Sequence, residues 1–242
     1  MNAFATALRW DVVWQARNGF YWASVCVVVL LGGLLSALPD DAGANAALWV
    51  PALAVGMLQV TTFFFVAGLL LLERSERTLT ALAVSPISPA GYLTVRMVTL
   101  IALATAETMS VVWMAFGLIN TWPLVVAATA AMGVVYTGIG VLVASRYSSI
   151  NRLLLPASMV ITVLLLPLLP HFGLASRLPF FIFVIHPIEP ALTLIRAAYQ
   201  PATTADLAFG VVGSIVWGTA SFWWGQRAVR SMMRSTALEG AS

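Results

Sequence analysis

Apolar residues fall into long blocks along this chain, separated by short charged or turn-rich breaks. Phe20–Leu38 runs 19 residues without a charge, and Leu48–Leu72 runs 25. Further blocks cover Met97–Ile119, Leu124–Ala144, Leu153–Leu169 and Leu207–Gly225, and Glu107 is the one charge inside any of them. About 20 apolar residues in a helix cross the hydrocarbon core of a bilayer. The pattern therefore predicts an all-α membrane protein with six transmembrane helices, at about 20–38, 48–72, 97–119, 124–144, 153–169 and 207–225. Residues 170–205 are less regular. Their apolar patch Leu178–Ile185 is too short to span, His186-Pro187-Ile188-Glu189-Pro190 breaks it, and Ala191–Ala198 has the length of a short helix. This predicts a re-entrant or interfacial segment before the last span, whose non-helical backbone must be covered by protein or face water. Residues 20–242 then form a single six-span domain.

Residues 1–19 follow a different rule. Phe4, Leu8 and Val12 recur every four positions and Trp10 and Trp14 make a second such pair, while Arg9, Asp11, Gln15 and Arg17 interrupt them. The expectation is an interfacial helix lying along the bilayer surface with its Trp residues at headgroup depth. A cleavable leader ending near Ser36-Ala37-Leu38 fits less well, because the apolar core of such a leader is about 7–15 residues.

Composition agrees with the pattern. The 242 residues are 61% hydrophobic and 9% charged, with a mean hydropathy of +0.95, whereas a soluble domain carries about 25% charged residues. All twelve basic residues are Arg. A Walker A phosphate loop needs its Lys, so this chain holds none. Six spans place both termini on one side together with ten of the arginines, from Arg9 to Arg234, and leave Arg177 and Arg196 on the other. By the positive-inside rule both termini are cytoplasmic. The high pI follows from that bias and calls for no nucleic acid. Cys26 is the one cysteine; no intrachain disulfide can form, and a lone thiol in an apolar run is ordinarily packing.

The break at 73–96 is longer and more patterned than the others. Glu73-Arg74-Ser75-Glu76-Arg77 ends the second apolar block, Thr78–Val84 is a short amphipathic piece, and Ser85-Pro86 and Ser88-Pro89 follow. A helix through Glu73–Val84 would put Leu79, Leu82 and Ala83 on neighbouring faces and allow Glu73 and Arg77 to pair at i, i+4. Ser88-Pro89 suits an N-cap followed by Pro at the first helical position. The bland alternative is a solvated charged loop.

The string from Glu73 to Pro86 resembles the elbow of type 2 ABC exporter permeases, with Glu73, Arg74, Glu76, Thr78, Leu79, Leu82, Ser85 and Pro86 on the matching positions. Arg77 stands where those permeases usually have Gly. Trp14–Trp22, Leu71–Leu93 and Arg146–Asn151 are similar to stretches of the permeases of fluoroquinolone-type drug export systems. The resemblance implies that the elbow carries a cytoplasmic coupling helix, built by those residues and Arg77. It also implies that the helix docks on a separate ATP-binding cassette subunit, which binds ATP and Mg, so that this chain needs no cofactor of its own. A second permease subunit, identical or different, and membrane lipid are the other implied partners. The implied setting is the plasma membrane of a bacterium, and the implied role is efflux of an amphipathic drug, antibiotic or natural product, as in multidrug export and antibiotic resistance.

Among single residues, Glu107 stands out. An intramembrane carboxylate is costly and marks a functional position by default. It is expected to face a cavity between subunits, in a substrate pathway with Trp113; packing against Thr105, Thr108 or Ser110 is the alternative. His186 and Glu189 are expected as turn residues on the outer re-entrant segment. No spacing matches a zinc or HExxH site, so no metal is expected. Two other function classes compete: a membrane-embedded enzyme acting on lipid or peptide, with Glu107 or His186 catalytic, and a non-transporting component of a signalling or assembly complex.

The arginine split makes the topology testable. In a Cys26→Ser background, Ala42→Cys and Ala205→Cys are expected to react in whole cells with a membrane-impermeant thiol reagent, and Ser75→Cys and Ser235→Cys are not. Labelling of Ser235→Cys from outside would overturn the six-span reading.

Overall fold

The computed structural model describes residues 3–37, 45–76, 78, 87–117, 119–174 and 180–239, and every regular element among them is a helix. Among the described residues these helices follow one another: α1 (Ala3–Arg17), α2 (Phe20–Ser36), α3 (Ala46–Ser75), α4 (Pro89–Phe116), α5 (Trp122–Ala144), α6 (Ile150–Leu164), α7 (Leu168–His171), α8 (Phe180–Val184), α9 (Glu189–Ala197) and α10 (Thr204–Glu239). Helices α3, α4, α5 and the Thr204–Arg234 part of α10 are long and apolar enough to cross a membrane. The pair Phe4–Arg17 and Phe20–Ser36 passes the same test as a unit but bends by 65°. This is a multi-pass membrane protein, with four such spans among the described residues, or five if the bent pair counts as one. Helix α6, at 15 residues, is about 22 Å long, shorter than a core of about 30 Å.

Local chemistry sets the helix ends. Gly19, between α1 and α2, has φ +80°, a left-handed conformation that costs glycine little; it makes the bend possible. Helix α4 starts as its sequence predicts: the Ser88 hydroxyl accepts the Gly91 N–H at 3.0 Å and Pro89 follows. The apolar block itself begins eight residues later, at Met97, and α3 runs on to Ser75. The charged break is therefore narrower than 73–96, and only residues 76–88 lie between the two helices. The reason is that charged residues at a membrane boundary need not end a helix; Glu73 and Arg96 remain helical because their charges are neutralised within the protein.

Helix α5 is the hub, and its glycines make it one. A Cβ on Gly138 would lie 2.5 Å from the Ser221 carbonyl oxygen of α10. One on Gly140 would lie 2.8 Å from Val66, and one on Gly133 2.8 Å from Ile101. Small residues let helix backbones approach where lipid supplies no hydrophobic drive for association. Buried Val135, Tyr136 and Val141 fill the gaps between these contacts. Within α3, residues Gln59–Phe64 form a π turn, a wider turn that often marks a functional place. Helix α9 packs against α5 and α10, with Ile188, Leu192 and Ile195 fully buried.

The close approach at Gly138 can be checked by a pair of substitutions with opposite signs. Gly138→Ala pushes a methyl into backbone and is expected to cost about 1–3 kcal/mol, lowering the thermal unfolding midpoint in detergent. Gly33→Ala, where nothing lies within 4 Å, is expected to leave the midpoint unchanged or raise it, since Ala favours helix over Gly. Equal effects would show that the α5–α10 contact is not tight.

Candidate functional site

At the elbow end of the bundle three helices meet around one arginine. The N-cap at Ser88 sets the register of α4, so Tyr92, Arg96 and Thr99 fall on one face. Glu73 sits in the last turn of α3. Asp11 and Gln15, four apart, share a face of α1. All of these side chains are buried, and Arg96 is 3% exposed.

The guanidinium bridges two carboxylates. Arg96 Nη1 lies 2.5 Å from Asp11 Oδ1, and Nη2 binds Glu73 Oε1. The second oxygen of each carboxylate is also used. Tyr92 donates its hydroxyl to Glu73 Oε2. Thr99 Oγ1 donates to Asp11 Oδ2 at 2.5 Å, and Gln15 Nε2 donates to the same oxygen at 2.7 Å. Two aromatic faces complete the shell: Arg96 Cζ lies 5.1 Å from the ring centre of Trp14 and 5.4 Å from that of Tyr92. Taking three charges out of water is expensive unless each is paired and hydrogen-bonded, and here each is. The cluster joins α1, α3 and α4 into one unit. It also reaches the elbow, because Thr78 donates its hydroxyl to the Glu73 carbonyl at 3.0 Å. Beside it lies a cavity of about 480 Å³, walled by Trp10, Trp14, Tyr92 and Ile87.

Each carboxylate is committed to the arginine and to hydroxyl or amide donors, and no group of His, Cys, Asp or Glu among the described residues is arranged to hold a metal ion.

Several expected site residues sit elsewhere than the sequence suggested. Glu73 is buried and bound to Arg96 rather than presented on an outer face. Arg74 is half-buried and donates to the Tyr147 carbonyl at 2.7 Å, while Glu76 is exposed. Arg77, Leu79, Leu82, Ser85 and Pro86 lie outside the described residues. Glu107 does not face an open cavity: it is 4% exposed, accepts a hydrogen bond from Thr61 Oγ1 at 2.5 Å and is faced by Ser24. The π turn of α3 supplies Thr61, which hydropathy alone gives no means of anticipating. Trp113, on the same helix, is 62% exposed. An apolar groove of about 880 Å³ runs between α4, α5 and α10 past Ile101, Met109 and Phe222, and neither Glu107 nor Trp113 lines it.

His186 and Glu189 are buried instead of lying on an outer turn surface. His186 Nδ1 accepts the Ile188 N–H at 3.2 Å, so Nε2 carries the proton and donates to the Val163 carbonyl at 3.0 Å. Burial holds its pKa below the ordinary histidine value, consistent with a neutral ring pinning α6 to the start of α9. Glu189 pairs with Arg196; burial raises its pKa above the usual carboxylate range, while Arg196 opposes that rise.

Sequence reasoning missed Asp11, Gln15, Tyr92, Arg96 and Thr99. The signal was present: Arg96 stands seven residues inside a helix that Pro89 opens, in otherwise apolar surroundings, where an arginine needs named counter-charges.

The sequence pattern of the Fluoroquinolones export permease protein family matches residues 2–234. Two proteins of Mycobacterium tuberculosis, each named a fluoroquinolones export permease protein and taken from strains CDC 1551 and H37Rv, are similar to this chain. Each is 25% identical over 219 residues, covering 89% of this chain and 90% of the relative.

The cluster predicts an asymmetric response to loss of cations. Arg96→Met leaves two carboxylates buried without a partner and is expected to cost about 3–5 kcal/mol, read as a lower unfolding midpoint in detergent. Arg227→Met removes an exposed arginine that stacks on Trp223 and is expected to cost at most about 1 kcal/mol. If the two variants unfold alike, the cluster does not hold the helices together.

Proposed function

The chain belongs to the fluoroquinolones export permease family, and we propose that it is the membrane-spanning subunit of an ATP-driven exporter. Its cargo is an amphipathic small molecule of the fluoroquinolone kind, moved out of the cell. ATP and Mg are bound by a separate ATP-binding cassette subunit. Two permease chains pair to enclose the path, and the plasma membrane of a bacterium is the setting. In this reading the bundle has six spans: α2, α3, α4, α5, α6 extended by the turn that follows it, and α10. Helix α1 lies along the inner surface, both termini are cytoplasmic, and α8 and α9 form the outer re-entrant segment.

The observation that carries the coupling role is the ion cluster at the root of the elbow. A loop that only connects two spans needs no rigid root. Here the last turn of α3 and the first turns of α4 are locked to each other and to α1 by Arg96, Asp11 and Glu73. A partner seated on residues 76–88 would therefore move three helices together rather than bend a loop. The side chains proposed to meet the ATPase are Glu76, Arg77, Thr78, Leu79 and Leu82, with Ser85 and Pro86 shaping the return. Glu73 acts one layer behind them as a positioning residue, and Arg74 ties the elbow to the turn after α5.

Leu82→Asp tests the docking. Placing a carboxylate in an apolar groove of the ATPase costs several kcal/mol. Export is expected to fail and the ATPase to be lost on co-purification, while membrane insertion and yield stay as in the wild type. Normal co-purification together with normal export would rule out the coupling assignment.

A further inference from the structure

The same end of the bundle carries a second feature that the exporter reading does not use. Three arginines, Arg74 at the end of α3, Arg146 after α5 and Arg152 in the first turn of α6, surround an open cavity of about 890 Å³, and no acidic side chain lines it. Arg146 and Arg152 are exposed and make no ion pair with a carboxylate among the described residues. Arg74 is fixed in place by its bond to the Tyr147 carbonyl. The cavity wall also offers the Asn151 amide and the Ser148 hydroxyl.

What lies next to this basic pocket identifies its occupant. Within one turn of Arg152 the surface of α6 becomes apolar. Leu155, Met159 and Val163 are 72%, 66% and 54% exposed, and at i, i+4, i+8 they form a single lane down the helix. Eight residues at 1.5 Å each make that lane about 12 Å long. Leu155 belongs both to the lane and to the cavity wall. A molecule that satisfies both parts needs an anionic, hydrogen-bond-accepting head and a hydrocarbon tail running into the bilayer. A soluble phosphate would use only the arginines, and an acidic protein surface would leave the lane to ordinary lipid.

We propose that Arg74, Arg146 and Arg152 form a site for the headgroup phosphate of an anionic phospholipid, with one acyl chain along Leu155, Met159 and Val163. The proposal rests on the membrane-spanning reading of the chain and not on its cargo. Helix α6 aids it: its first turn lines the cavity through Asn151 and Arg152 and has no side-chain cap from Ser149, and a helix N-terminus favours an anion. Because Arg74 belongs to the last turn of α3, the bound headgroup would join the elbow root to the α5–α6 turn.

The test uses the full chain purified in detergent, with phosphatidylglycerol and phosphatidylcholine as probes and retained lipid counted by native mass spectrometry. The wild type is expected to retain phosphatidylglycerol preferentially. Arg146→Gln with Arg152→Gln should reduce that preference on the order of tenfold, and Arg146→Lys with Arg152→Lys should keep most of it. An unchanged thermal midpoint in phosphatidylcholine, for both double variants, shows that folding is not the cause. Leu155→Ser should weaken phosphatidylglycerol retention while leaving any binding of soluble glycerol phosphate untouched. The proposal is overturned if the glutamine variant keeps the lipid preference. It is overturned equally if glycerol phosphate displaces the lipid at matched concentration, or if the variant loses only the ATPase subunit and no lipid. Normal export and normal ATPase co-purification by Leu82→Asp would count against the exporter's coupling scheme and leave this site standing.

Discussion

A guanidinium shut away from water must find its counter-charges within reach, and Arg96 finds two on two different helices. That requirement shapes the elbow end of the molecule. Asp11 fixes the rotation of α1 about its axis, because only one face of that helix can bring the carboxylate to Arg96 while Gln15 reaches both Asp11 and Thr99. Glu73 fixes how far α3 extends, since its last turn must lie beside α4. Breaking the set by one member is far more costly than the set is stabilising, because an unpaired buried charge remains. Such a cluster therefore enforces one geometry more than it adds stability.

The rotation of α1 has a consequence for how the helix meets its surroundings. Its buried side chains include Asp11 and Gln15, while Trp10 is 66% exposed and Phe4 and Val12 also face outward. The carboxylate and amide turn to the protein, while the outward surface mixes these apolar side chains with the exposed Arg9 and Arg17. Beside a bilayer this is the stable arrangement, since lipid accepts the apolar side chains and the protein supplies partners for the buried polar ones. Glu107 obeys the same logic deeper in the bundle, where Thr61 and Ser24 meet its carboxyl and the π turn makes room for Thr61.

These two cases mark where sequence reading worked and where it stopped. Hydropathy found the long helices, and Ser88-Pro89 located the start of α4. Each of those signals is local: one segment's composition or one cap decides it. The rotation of a helix about its axis is not local. In a membrane both faces of a helix meet apolar surroundings, so the contrast between apolar and polar positions no longer tells which side is buried. For that reason Asp11 and Gln15 read as interruptions of an amphipathic pattern when they were its inward face. The bond between Glu73 and Arg96 was hidden for a similar reason: the approach of α4 to the end of α3 is not written in either segment alone. The second apolar block ends at Leu72, whereas α3 runs on to Ser75 because Glu73 is neutralised by Arg96.

The packing also bears on which parts can move as a unit. Helices α1, α3 and α4 share a buried ionic root at one end, and at the other end of the bundle α6 is tied to the start of α9 by His186 alone among the bonds described above. Between them stands α5, whose Gly138 and Gly140 approach the backbones of α10 and α3 and whose Gly133 makes room for the Ile101 side chain of α4. The ionic root and the glycine-lined interface thus hold the bundle by different means: buried charge pairing joins α1, α3 and α4, and close backbone approach joins α5 to α3 and α10.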